Sequence, residues 1–178
     1  STPRYEYSFR LGADYKGFDF SIYCQGIGKR KIWGAGQLAI PGWNAKEGAM
    51  PETFCKDYWT EDNTDAYYPR AWDLGGSNTG FTMQRQSKYL LNMAYLRVKN
   101  INFGYTFPQK WMKKAYINTL RVYMSLENFF TFDHLRGLPI DHEAISGYSM
   151  FSDNYNLGRT GTGTPVFKSL SFGLQLSF

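Results

Sequence analysis

The chain has 178 residues and a net charge of +5, from 20 Lys and Arg against 15 Asp and Glu. Its mean hydropathy of −0.46, with no apolar run near the ~18 residues of a membrane helix, excludes a helical membrane protein but not a barrel, whose inward polar residues dilute the average. Basic residues are scattered, with short clusters only at Lys29-Arg30-Lys31 and Lys110 to Lys114, so nucleic acid is not an expected partner.

The aromatic share is high, 19%, from 14 Tyr, 14 Phe and 5 Trp, which fits β-structure, aromatic girdles or carbohydrate-stacking surfaces. From Arg4 to Tyr15 apolar and polar residues alternate without a break, Tyr5, Tyr7, Phe9 and Leu11 against Glu6, Ser8, Arg10 and Asp14. Side chains alternate between the faces of a strand, so this predicts a first strand longer than the mean of about 5–6 residues. Lys16-Gly17 reads as a tight hairpin loop, and Phe18 to Gly28 as the returning strand, with Phe18, Phe20, Ile22 and Cys24 on one face. Cys24 reads as a small hydrophobe, and with Cys55 it makes no disulfide framework.

A long irregular stretch, about Lys29 to Lys88, follows. The third strand runs from about Tyr95 to Phe107. Its Leu96 and Val98 are out of phase with Ile101, Phe103 and Tyr105, so a bulge near Lys99-Asn100 is expected. Pro108 to Asn118 is a short connection with room for one helical turn. The fourth strand, Thr119 to about Thr131, sets Leu120, Val122, Met124 and Leu126 against Arg121, Tyr123, Ser125 and Glu127. A second long loop, about Asp133 to Pro165, leads to a last strand, Phe167 to Phe178, in which Leu170, Phe172, Leu174, Leu176 and Phe178 alternate with Ser, Gly and Gln.

Short connections after strands one and three and long ones after two and four match the periplasmic turns and extracellular loops of an outer-membrane barrel. Tyr15, Phe18, Tyr105, Phe107 and Phe178 then share one level, as a periplasmic girdle would. Five strands are too few to close, since about eight is the smallest common number. The reading is all-β: the last five antiparallel strands of a larger transmembrane barrel, with two long extracellular loops. No signal peptide opens the chain, so an exported parent is expected to extend N-terminally. Tyr5, Tyr7, Phe9, Leu11, Phe20, Ile22, Phe103, Leu120, Val122, Met124, Phe172, Leu174 and Leu176 are expected to face lipid. Arg10, Asp14, Asp19, Gln25, Asn102, Arg121, Glu127 and Gln175 are expected to face the lumen.

Five stretches carry a family resemblance: Ser1 to Tyr15 with Lys16-Gly17-Phe18-Asp19, Tyr58 to Arg70, Tyr89 to Pro108, Leu120 to Phe132, and Ser171 to Phe178. They resemble the C-terminal region of SusC/RagA-type TonB-dependent transporters of Bacteroidota outer membranes, over essentially the whole of residues 1–178. The resemblance implies a plugged barrel of about 22 strands. It implies import of oligosaccharides or peptides under a SusD-like surface lipoprotein lid. It also implies contact with TonB through an N-terminal part and plug outside this chain, and a wall set in outer-membrane lipid. Phe178 is then expected to act as an assembly signal. The stretch Gly158 to Pro165 departs from the shorter Pro-rich approach expected there.

No catalytic, cofactor or metal site is expected. The Gly-rich stretches lack the Lys-Ser/Thr of a phosphate loop. His134, His142, Asp133, Asp141 and Glu143 match no dedicated metal spacing, and Glu127 with Asp133 or Asp141 reads as wall and rim rather than a glycosidase pair. Among the loop aromatics, which include Trp33, Trp72 and Tyr58, the residues Trp43, Trp59, Tyr67 and Tyr68 are the candidate contacts for lid or cargo, and some of the group should instead pack the loop against itself. Two rival readings are a soluble carbohydrate-binding β-sandwich and a glycan-active enzyme.

Overall fold

A computed structural model describes residues 3–34, 50–70, 86–113, 116–143 and 166–178. The chain divides into two compact units. One, the sheet unit, comprises Pro3–Gly28, Tyr95–Phe132 and Val166–Phe178; the other, the loop unit, takes Lys29–Ala94 and Asp133–Pro165 together with Ser1–Thr2.

The sheet unit contains β1 (Tyr5–Tyr15), β2 (Phe18–Gly28), β5 (Tyr95–Thr106), β6 (Thr119–Asp133) and β7 (Ser169–Ser177) in the order β1-β2-β5-β6-β7. Lys16 and Gly17 both take positive φ, 49° and 90°, which is the type I′ turn that matches strand twist. The register then pairs Tyr15 with Phe18, Leu11 with Ile22 and Phe9 with Cys24, so the apolar residues of β1 and β2 share a face. Between β2 and β5, Tyr23 pairs with Asn100 but Cys24 pairs with Val98. Lys99 is the extra residue, a bulge where the change of phase requires one, and it brings Leu96 and Val98 onto the face of Ile101 and Phe103.

Arg97 reaches Thr131, Asn100 reaches Ser125, and the Phe107 N–H reaches the Leu120 carbonyl, so β6 runs antiparallel to β5. β7 continues the pattern, with Leu120, Val122 and Met124 opposite Leu176, Leu174 and Phe172. One face of the sheet is therefore apolar across all five strands. Among the described residues no second layer covers it: Leu11 is 61% exposed, Phe172 73% and Leu174 69%. A sandwich would bury these side chains, whereas a membrane wall presents them to lipid.

Three strand glycines lie beneath cross-strand tyrosines. A Cβ at Gly28, Gly26 or Gly173 would lie 2.0 to 2.5 Å from the ring of Tyr5, Tyr7 or Tyr123 respectively. Tyr7 also donates its hydroxyl to the Tyr95 carbonyl at 3.1 Å, which fastens β1 to β5 across β2. The aromatic ring fills the space that glycine leaves and pins the register.

The loop unit is less irregular than its sequence suggests. Residues Lys31–Ile32 (β3) and Leu91–Asn92 (β4) pair as a small antiparallel ribbon, α1 spans Glu52–Lys56, and a 3₁₀ turn covers Ser87–Tyr89. Such short elements show no readable period, which is why a plain loop is expected there. Their own core holds them: Ile32, Phe54, Tyr68, Met93, Leu135, Leu138 and Ile140 are buried together, with Trp33, Tyr67 and Leu91 packed against them. Cys24 is buried and Cys55 exposed, both as free thiols.

Candidate functional site

Each unit presents surfaces of its own. On the sheet, the face opposite the apolar one carries a ladder of polar contacts. Asp19 of β2 and Arg121 of β6 meet over β5 in a two-point ion pair, Nε to Oδ2 at 2.9 Å and Nη2 to Oδ1 at 2.5 Å. The pair can span three strands only because Gly104 lies between them: a Cβ there would stand 2.4 Å from Asp19 Oδ2 and 2.7 Å from Arg121 Nη2. Further along, Asn100 donates to Ser125 Oγ at 3.1 Å, Asn102 to Asn100 Oδ1 at 2.5 Å, and Arg97 Nε to Thr131 Oγ1 at 3.1 Å. Arg10 stands over the Tyr23 ring at 5.7 Å, and Arg121 over Tyr123 at 5.0 Å. Every residue expected on the lumen side of these strands falls on this face: Arg10, Asp14, Asp19, Gln25, Asn102, Arg121, Glu127 and Gln175.

At the short-turn end the aromatic rings follow one another, Phe18 to Tyr105 at 4.5 Å and Tyr105 to Phe107 at 5.0 Å. Trp111, not expected in this band, continues it at 6.4 Å from Phe107. Phe130, Phe132 and Phe167 are exposed near the opposite end of β6 and β7. Phe178 follows β7 and is 81% exposed.

In the loop unit, a half-open cavity of about 310 Å³ is lined chiefly by Tyr67, Tyr89, Leu91, His134, Arg136 and Leu138. Arg136 stacks 4.1 Å from the Tyr67 ring centre and pairs with Asp57 Oδ2 at 3.0 Å. Asp57 Oδ1 in turn accepts the Tyr67 N–H at 3.2 Å, so one carboxylate fixes both the tyrosine backbone and the cation over its ring. Tyr67 packs edge-on to Tyr68 and Tyr89 at 4.9 and 5.7 Å, and its hydroxyl donates to the Lys88 carbonyl. Burial, reinforced by Tyr67 nearby, pushes the Tyr68 phenol up to about 12, and burial raises Tyr89 as well.

The structure brings Trp59, Tyr67 and Tyr68 into one neighbourhood, since the Trp59 N–H donates to the Tyr68 carbonyl at 3.0 Å. Their exposures differ. Tyr68 is 4% exposed and packs into the core against Phe54, whereas Trp59 is 36% exposed. Trp43 lies outside the described residues. Sequence reasoning missed Tyr89 and Arg136, which line the cavity from segments far apart in the chain, and Asp57, which holds Arg136. The available signal was an acid, an aromatic pair and an arginine in the two long loops, without a spacing to join them.

The two-faced open sheet and its exposed aromatic band make the sheet unit a partial segment of an outer-membrane β-barrel. No family model matches the chain. The TonB-dependent receptor P3 of Formosa agariphila is 25% identical over 177 residues, which is 99% of this chain and 16% of that protein. A structure of the RagAB peptide importer in its open-open state is similar at a TM-score of 0.63 and 25% identity, covering 99% of this chain and 17% of that chain. The closed-closed state gives a TM-score of 0.61 at 24% identity, with 99% and 17% covered. The segment is thus similar to a TonB-dependent receptor and to the RagAB importer, and it spans about a sixth of the length of these relatives.

Proposed function

We propose that this chain forms the C-terminal portion of the barrel of a TonB-dependent importer, with the two long loops on the extracellular side. The observation that carries the reading is the pairing of an uncovered apolar face with a polar face cross-linked from β2 to β6, in a chain similar along 99% of its length to the RagAB importer. Energy transfer from TonB and the plug belong to the parts of the parent beyond this segment. The relatives named above are a receptor and an importer, and the segment is proposed to have no catalytic role.

The cargo is an oligosaccharide or a peptide, and a SusD-like lipoprotein closes over the barrel mouth. The similarity to the RagAB peptide importer favours the peptide. Trp59 and Tyr67 are the described loop aromatics proposed to meet lid or cargo, because Tyr68 is committed to the core. The test is growth of a strain lacking the parent on peptides or on oligosaccharides as sole nutrient, together with co-purification of a surface lipoprotein from detergent extracts. Loss of growth on one nutrient, restored by the intact gene, supports uptake and names the cargo. Unchanged growth on both, with no lipoprotein retained, refutes the reading.

A further inference from the structure

The short-turn rim of the sheet carries chemistry that uptake does not use. The turn holding Lys16 is tied to the next connection, because the Thr106 N–H donates to the Gly17 carbonyl at 2.7 Å. From there Tyr105, Phe107 and Trp111 follow ring by ring into α2 (Gln109–Met112), which carries Lys110 one turn before Lys113. All three lysines are exposed, and among the described residues none has an acidic partner. The nearby carboxylates, Asp14 and Asp19, pair across β1 and β2 and share an open hollow with Lys16, where Asp19 is held by Arg121. Beside the cations stand rings with little protein over them, Tyr15 at 68% exposure, Trp111 at 61% and Tyr116 at 90%. Lys16 Nζ itself lies 5.1 Å from the Tyr15 ring centre.

Ammonium groups without a direct ion pair among the described residues, beside an aromatic band at the level where an apolar wall ends, match the headgroup region of a bilayer. Rings of this kind settle at the headgroup level of a bilayer, and lysines there draw anionic lipid. We propose that this rim is a binding site for anionic phospholipid. Its phosphate is drawn to Lys16, Lys110 and Lys113, and its glycerol and upper acyl chains lie against Tyr15, Phe18 and Trp111. By the proposed orientation the lipid belongs to the periplasmic leaflet. The site does not depend on what the barrel imports.

The test uses the full-length parent in lipid nanodiscs and reads the fluorescence due to Trp111, taken as the difference from Trp111→Phe. Brominated phosphatidylglycerol should quench it at a lower mole fraction than brominated phosphatidylcholine. Each lysine near an anionic surface is worth about fivefold in binding, so K16Q/K110Q/K113Q should weaken the preference more than about tenfold. Raising salt to about 1 M, where the Debye length is about 3 Å, should have the same effect on the unsubstituted parent. Equal quenching by both lipids would overturn the proposal, as would a preference untouched by the triple substitution. If the triple variant fails to give the heat-modifiable folded form, the salt experiment decides, and a preference that persists in high salt refutes the site.

Discussion

Gly104→Ala isolates the cross-strand staple on the polar face. The three atoms nearest the new Cβ would be Asp19 Oδ2, Arg121 Nη2 and Asp19 Oδ1, all ends of side chains rather than backbone. The loss is then the ion pair itself. A hydrogen bond to a charged group contributes about 1.5–3 kcal/mol. Because the two side chains remain 27% and 28% exposed, solvent screening lowers the expectation to about 1 kcal/mol. Gly26→Ala should cost more, about 2–3 kcal/mol, since its Cβ would lie 2.4 Å from the Tyr95 carbonyl and 2.5 Å from the Tyr7 ring, forcing β5 backbone to shift. The assay is urea unfolding of the parent refolded into vesicles, followed by the heat-modifiable band. In an Asp19→Asn, Arg121→Gln background, Gly104→Ala should become nearly neutral while Gly26→Ala keeps its full effect. Additive losses at Gly104, or a reversed order of the two glycines, would refute the account.

The same unfolding assay tests the two faces of β7. Leu174→Lys should cost about 2–4 kcal/mol and Gln175→Lys much less, and equal losses would contradict the assignment. Tyr68→Ala removes a buried ring and should open the loop unit to protease, whereas Trp59→Ala should leave protease resistance intact and weaken lid retention or uptake, by about 1–2 kcal/mol if central. The raised phenol of Tyr68 sets a direction with pH. Its neutral form is favoured in the fold, so this stabilisation is complete below an unfolded value near 10 and is lost as pH rises through the folded value of about 12. Tyrosinate absorbance and protease opening should therefore rise together between those limits, and Tyr68→Phe should remove that component.

Legibility in the sequence followed periodicity. Alternation over the long strands places β1, β2, β5, β6 and β7 to within about two residues, and the phase change between Val98 and Ile101 places a bulge near Lys99-Asn100, which the pairing resolves to Lys99. The polar staple was half legible: Asp19 and Arg121 both fall on the expected face. That the acid and the arginine would meet across an intervening strand depends on register, which alternation alone does not supply. The loop unit was not legible, because α1, β3 and β4 are too short to show a period and its core draws Phe54, Met93 and Leu135 from distant segments. Asn128 adds an irregularity of a third kind. Its φ of 56° inside β6 is tolerated by asparagine, and its amide donates to the Phe167 carbonyl at 3.3 Å.

The polar face also constrains where selectivity can reside. Asp19 is engaged by Arg121, Arg97 by Thr131, and Asn100 by both Asn102 and Ser125. A group already paired in the wall must break that bond before it can recognise a passing solute, and the exchange yields little net energy. If the parent imports as proposed, such paired groups would guide polar cargo without reading its identity. The loop unit differs, since its cavity opens beside Tyr67, Tyr89 and His134, rings able to stack on or hydrogen-bond an incoming group. On the proposed importer reading, discrimination among cargoes would then belong to the loops, and substitutions on the polar face of the sheet should change the rate of passage more than the choice of what passes.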